Sequence, residues 1–211
     1  MALRPREIKA VFFDLGKVLL DFSHEELVGR LLSKSLDREG KAPALYRFLF
    51  DRDEGLCNLY DEGRISSEDF YREIDARFSL RAGLPEFAEL WNGIFTENAQ
   101  VSSIMRRVRE KRPVFLLSNV NELHWEFAKD RFAALSEMDG WVLSCRVKAK
   151  KPSPGIYAAA LGTAGIGPGE SIFIDDLEEN VAAARENGIE GILFDGAREL
   201  ERGLREIGVI N

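Results

Sequence analysis

Seven residues in four short stretches carry the types that could do chemistry together. Asp14 ends the apolar run "AVFF", and Gly16 follows two places later. Ser118 and Asn119 close "PVFLLSN", Lys151 stands in "KAKKPSPGIY", and Asp175-Asp176 close "SIFIDD". Singly, each has an ordinary part to play. Asp14 can cap a turn, Ser-Asn is a turn dipeptide, Asp-Asp can start a helix, and a lysine in a basic run is normally solvated. Together they point elsewhere. Carboxylates that converge on one crevice repel each other unless a cation sits among them. An all-oxygen site with few protein ligands suits Mg²⁺. A hydroxyl, an amide and an ammonium beside it are the donors a phosphoryl group needs.

Those residues can meet only if the runs before them are neighbouring strands. The runs 8–13, 113–118, 140–145, 171–175 and 191–194 are nearly continuous in their apolar part rather than alternating. That pattern fits strands covered on both faces, as in a parallel sheet. Helical stretches lie between them: "NELHWEFAKDRFAAL", "PSPGIYAAALGTAG" and "LEENVAAARENG". The last carries acids near its start and Gly188 past its end, which fits the helix dipole and the glycine C-cap. Strand and helix in alternation predict an α/β fold, a doubly wound parallel sheet. In such a sheet ligands bind beyond the carboxyl ends of the strands, where the collected residues stand.

Residues 22–97 break the rhythm. They read as helices over "HEELVGRLLSKSL", "APALYRFLFDRDEGLCNLYDEG", "SSEDFYREIDARF" and "PEFAELWNGIF". Ser66 or Ser67 before Glu68 and Asp69 looks like an N-cap. The segment is far longer than a βα connection needs. The expected division is a core of residues 1–21 and 98–211, with 22–97 inserted as a helical cap.

Composition narrows the function classes. The chain has 211 residues, 45% hydrophobic and 31% charged, with net charge −7. No basic stripe stands out, which argues against nucleic acid or an anionic membrane as partner. The start "MALRPREIKA" has no apolar core of a secretory signal, and no run is long enough to span a bilayer. The cytoplasm is the expected location. The two cysteines, Cys57 and Cys145, and the two histidines match no zinc spacing, so both thiols are expected to be reduced and structural.

The set Asp14-Leu15-Gly16, Ser118-Asn119, Lys151-Pro152 and Asp175-Asp176 resembles, in order, the four motifs of the haloacid dehalogenase-like (HAD) hydrolases. Within that family "FFDLGKVLLDF", "LLSNVNELH" and "FIDDLEENVAAA" look like the bacterial branch containing α-D-glucose-1-phosphate phosphatase. The resemblance implies a Rossmann-like core with a C1-type helical cap. It implies an Mg²⁺-dependent phosphatase acting on a small phosphorylated metabolite through an aspartyl-phosphate. On that pattern Asp14 is the nucleophile and Ser118 binds a phosphoryl oxygen. Asn119 offers its N–H, and Lys151 holds both Asp14 and phosphate. Asp14, the Gly16 carbonyl and Asp176 would ligate the metal, with Asp175 as a further ligand or as the partner that holds Lys151. Asn180 stands behind them.

Two departures follow from the resemblance. The family usually has an acid/base Asp where this chain has Gly16, and a small or amide residue where it has Lys17. Asp21, His24 and His124 are candidate replacements, although a histidine near a helix start more often packs or caps. The loss matters least for leaving groups that need little protonation, such as an anomeric sugar phosphate. Phe48, Phe50, Tyr60, Trp91 and Phe95 are candidates for a pocket wall or for the cap's own core. Alternatives are a 2-haloacid dehalogenase, which needs no metal and so leaves Asp175-Asp176 unexplained, and a degenerate domain that binds phosphate without turnover.

Overall fold

Strand β1 (Ala10–Phe13) is buried at every position, and that follows from its place in the middle of a sheet. The computed structural model describes residues 7–36 and 39–211, so the expectation for the first six residues lies outside the described residues. The other strands are β2 (Leu20–Asp21), β3 (Thr96–Glu97), β4 (Val114–Ser118), β5 (Gly140–Leu143), β6 (Ser171–Asp175) and β7 (Glu190–Leu193). Five of them form one sheet in the order β5-β4-β1-β6-β7, with every pair parallel. Val11 and Phe13 face one hydrophobic cluster, while Ala10 and Phe12 face another. Both faces are therefore covered, which is why the strand runs lack alternation.

Helices α1 (His24–Leu32), α2 (Ala42–Phe50), α3 (Leu56–Asp61), α4 (Ser67–Phe78) and α5 (Leu84–Asn92) lie between β2 and β3. They bury Leu27, Leu31, Leu45, Leu49, Phe70, Ile74, Phe87 and Trp91 in a cluster of their own. The chain leaves and re-enters the sheet region through β2 and β3, which pair antiparallel. Two-residue strands carry no periodicity, so neither was legible in sequence. Ser66 caps α4 by accepting from Asp69 N, as the sequence suggested, a contact typically worth about 1 kcal/mol. The helix expected over 42–63 is two helices. Asp51 adopts an extended backbone, and its side chain accepts from Asp53 N and Glu54 N, which ends α2. Gly55 then passes so close that a Cβ there would lie 2.5 Å from the Asp51 carbonyl oxygen.

The remaining helices are α6 (Ala99–Arg109), α7 (Glu122–Arg131), α8 (Ala133–Ser136), α9 (Ser144–Val147), α10 (Pro154–Ala164), α11 (Glu178–Glu186) and α12 (Ala197–Glu206). The run expected as one helix over 121–135 breaks at Phe132, whose backbone is extended and whose ring packs into the core. Helices α6 and α12 lie outside the stretches expected to be helical. Asn98 caps α6, and Val101, Ile104, Met105 and Val108 give it a buried stripe that could have been found. Cys57 and Cys145 are free and buried. No described helix is long and apolar enough to cross a membrane.

Candidate active site

β1, β4 and β6 lie side by side, and their carboxyl ends present Asp14, Ser118 and Asp175 to one crevice. Asp14 continues the ladder, its N–H donating to Ile174 O at 2.9 Å. Its Oδ1 accepts from Leu15 N at 2.7 Å, so the carboxylate is fixed by its own turn. Lys151 Nζ lies 2.7 Å from Asp14 Oδ1 and 2.6 Å from Asp175 Oδ2. Asp175 is wholly enclosed. Its Oδ1 accepts from Leu177 N at 2.8 Å and from Asn180 Nδ2 at 2.9 Å.

The charges at this floor do not cancel. Burial pushes the Asp14 carboxyl up to about 7, Lys151 opposes that, and Asp175 reinforces it. Burial works against the Lys151 ammonium, but Asp14 and Asp175 outweigh it and hold the pKa above its ordinary value. Burial, and then Asp175, also raises half-buried Asp176. Carboxylate oxygens of Asp14, Asp175 and Asp176 all lie within 4.8 Å of one another. One ammonium among three carboxylates leaves two negative charges uncompensated. A divalent cation with oxygen preference fits that donor set. Both Asp175 oxygens already have donors, so Asp14 and Asp176 are the freer ligands. The turn's backbone hydrogen bonds use the Leu15 and Leu20 carbonyls, and among the described residues that of Gly16 has no backbone donor.

Asn119 clamps Lys151 by its main chain. Asn119 Oδ1 accepts from Lys151 N at 2.7 Å, and Asn119 Nδ2 donates to Lys151 O at 3.0 Å. Its own N–H takes no backbone partner among the described residues. The Ser118 hydroxyl is buried and, among the described residues, has only a long 3.5 Å contact to Asn119 O. Both therefore keep hydrogen-bonding capacity at the crevice among the described residues.

A cavity of about 440 Å³ rises from this floor toward the helices. Phe22, Leu49, Phe50, Trp91 and Phe95 form an apolar wall, and Asn58, Asp61, Asn121 and Lys150 a polar one. Asn121 Nδ2 donates to Asp61 Oδ1 at 3.0 Å, and Lys150 Nζ to Asn58 Oδ1 at 2.6 Å. Burial raises Asp61 to about 6 against the pull of Asn121 and Lys150. Of the aromatic candidates, Phe50, Trp91 and Phe95 line the cavity. Phe48 packs on Phe78, and Tyr60 stacks on Phe70 inside the helical cluster.

Gly16 has no side chain, and the space is not open. A Cβ built there would lie 2.9 Å from Phe22 Cε1. Lys17 takes a left-handed backbone (φ 60°) and donates to Phe22 O, with its ammonium 4.8 Å from the Phe22 ring centre. Asp21 is exposed and lines neither of the two cavities at this site. His24 and His124 both border the cavity. The parts of Phe22, Asp61 and Asn121 were missed. Phe22 reads as the tail of an apolar run, and Asn121 as a helix start.

A profile of the family described as haloacid dehalogenase-like hydrolase matches residues 8–188. The chain is 25% identical over 190 residues to D-ribitol-5-phosphate phosphatase of Bacteroides thetaiotaomicron, covering 87% of this chain and 90% of that one. It is 37% identical over 76 residues to flavin mononucleotide hydrolase 1 of Arabidopsis thaliana, covering 36% of this chain and 31% of that one. Among solved structures, a HAD-family enzyme of Bacteroides thetaiotaomicron complexed with magnesium and inorganic phosphate superposes with a TM-score of 0.76 at 25% identity. That match covers 88% of this chain and 93% of the other.

Proposed function

The chain belongs to the haloacid dehalogenase-like hydrolase family, and from that membership we propose that it is a cytoplasmic Mg²⁺-dependent phosphatase. The substrate is a small phosphorylated metabolite, and the reaction passes through an aspartyl-phosphate on Asp14. The observation that carries the reading is the buried floor. Asp14 and Asp175 share the Lys151 ammonium at 2.7 and 2.6 Å, with Asp176 within ligand distance. The named substrates of the relatives, ribitol 5-phosphate and flavin mononucleotide, are phosphate esters of that size class.

Asp14, the Gly16 carbonyl and Asp176 would hold Mg²⁺, with Asp175 behind them. When bound, Mg²⁺ would offset the charge of the phosphoryl group and help orient it. Ser118 and the Asn119 N–H bind two of its oxygens. Lys151 neutralises charge as phosphorus becomes five-coordinate. Asp14 attacks phosphorus, and the bond to the leaving oxygen breaks. Water then attacks phosphorus and frees the carboxylate. Residues 22–97 act as the cap that closes over the cavity and selects the leaving group. Residue 16 offers no proton, so esters with a stable leaving group, sugar 1-phosphates among them, are favoured.

The test is Asp14→Asn assayed on p-nitrophenyl phosphate and a panel of sugar phosphates, with Mg²⁺ and with EDTA. Turnover should fall on the order of 10⁴-fold or more while the fold persists. Unchanged turnover by the variant, or wild-type activity that survives EDTA, contradicts the proposal. Tight phosphate binding by wild type without turnover of any ester would instead identify a binding domain.

A further inference from the structure

Five residues line both the cavity beneath the helices and the adjoining cavity that opens on Asp14 and Asp176: Gly16, Phe22, His24, Asn119 and Lys151. They lie where the two cavities meet, beside the place a phosphoryl group on Asp14 would take. On the reading of Asp14 as nucleophile, displacement at phosphorus sends the leaving oxygen out opposite Asp14, and the cavity beneath the helices, which meets Asp14's cavity at these residues, is the space that would receive it. The water that later releases phosphate must enter by the same side, because it too attacks in line with the Asp14 oxygen.

Four of the five are already committed. Gly16 has no side chain, and Phe22 fills the space one would take. The Asn119 amide is spent on the Lys151 backbone, and the Lys151 ammonium on two carboxylates. His24 remains. Its ring stacks on Phe50 with centroids 3.9 Å apart and 15° between planes, and it packs against Phe22 and the edge of Tyr46. Neither ring nitrogen hydrogen-bonds a described residue. His124 differs: its Nδ1 pairs with Asn92 Oδ1 at 3.0 Å, and its ring lies flat on Trp91.

We propose that His24 is the general base of the second half-reaction, taking a proton from the water that cleaves phosphate from Asp14. The inference rests on the reading of Asp14 as nucleophile. The water oxygen bonds to phosphorus. The bond from phosphorus to Asp14 breaks, with its electron pair returning to the carboxylate. The water's proton passes to an unpartnered imidazole nitrogen and from there to solvent. The groups facing His24 are Glu25 on its own helix, Lys17 on the β1 turn, Tyr46 on α2 and His124 on α7. Burial holds the imidazole below its ordinary pKa, Lys17 acts in the same direction and Glu25 opposes. The ring is thus neutral at neutral pH, the form that accepts a proton.

The experiment is rapid quench of His24→Gln with p-nitrophenyl phosphate and Mg²⁺, following p-nitrophenolate, inorganic phosphate and the intact protein mass. The expected result is a burst of about one equivalent of p-nitrophenolate and accumulation of singly phosphorylated protein. Phosphate release should slow about 10²–10⁴-fold. Imidazole in solution should restore phosphate release to His24→Ala. Phosphate release within a few-fold of wild type overturns the proposal, as does slowing of both products with no phosphorylated protein. His24→Asn is the second variant. If no variant melts cooperatively, His24 is a packing residue and the proposal falls. Asp14→Asn with wild-type turnover would remove the underlying reading instead, which separates the two failures.

Discussion

The floor of the site and its roof are built on opposite terms. At the floor, buried groups at strand ends hold one another: Lys151 between Asp14 and Asp175, Asn180 and Leu177 on Asp175, Asn119 on Lys151. At the roof, rings from α1, α2 and α5 stack with little hydrogen bonding, and His24 has no hydrogen-bond partner among the described residues. Asp61 of α3 joins the two regions, since its carboxylate accepts from Asn121 and its carbonyl accepts from Ser144 Oγ. The difference teaches where each property resides. On the proposed function, the preorganised charged floor would serve the reaction at phosphorus, and the ring-lined roof would be the part whose side chains choose leaving groups.

The comparison breaks most sharply at Lys151. Lys151→Met leaves Asp14 and Asp175 buried without their cation. It should abolish turnover and destabilise the protein by about 3–5 kcal/mol in chemical denaturation. A loss under 1 kcal/mol would mean that the floor is not held by charge. Mg²⁺ at a hundredfold excess over its Kd should stabilise wild type by about 2.7 kcal/mol, read as a rise in Tm. Asp176→Asn should lose most of that rise, and an equal rise in the variant would take Asp176 out of the metal site.

The roof gives smaller and more selective effects. Gly16→Asp alone should gain nothing on alkyl phosphates, because the new side chain meets the Phe22 ring. Adding Phe22→Ala opens the space and should raise alkyl over p-nitrophenyl turnover by about 10-fold or more. Equal ratios in single and double variants would show that Phe22 is no obstacle. A further effect concerns pH. Burial, with His24 adding to it, lowers His124 to about 3, below the 6.5 of an unfolded chain. The unfolded state therefore binds the extra proton first. Stability from this residue is present above pH about 6.5 and is lost as pH falls toward 3. His124→Gln should flatten that part of the Tm–pH curve, and an unchanged slope would place the acid sensitivity elsewhere.

The floor was legible because strand ends announce themselves. Apolar runs broken by Asp14, Ser118 and Asp175 point to the fold class and to which side chains meet, since the parallel sheet brings such ends together. The roof was not legible for a physical reason. Its positions sit on short helices whose apolar residues serve the helical cluster and the cavity wall alike, so period alone cannot separate Phe50 from Phe48. The break at Asp51 came from a side chain capping its own backbone, which hydrophobic pattern does not register. Between Gly16 and Phe22 the chain turns through a left-handed backbone at Lys17, a conformation that a lysine does not advertise.

The most direct measurement quenches the enzyme during turnover with Mg²⁺, reduces it with borohydride and maps the peptides. An acyl phosphate on Asp14 becomes homoserine at that position alone. The expected result is modification of Asp14 that appears only with substrate and Mg²⁺ and is absent from Asp14→Asn. An enzyme that turns over while Asp14 stays unmodified, or that carries the label on another carboxylate, would contradict the assignment.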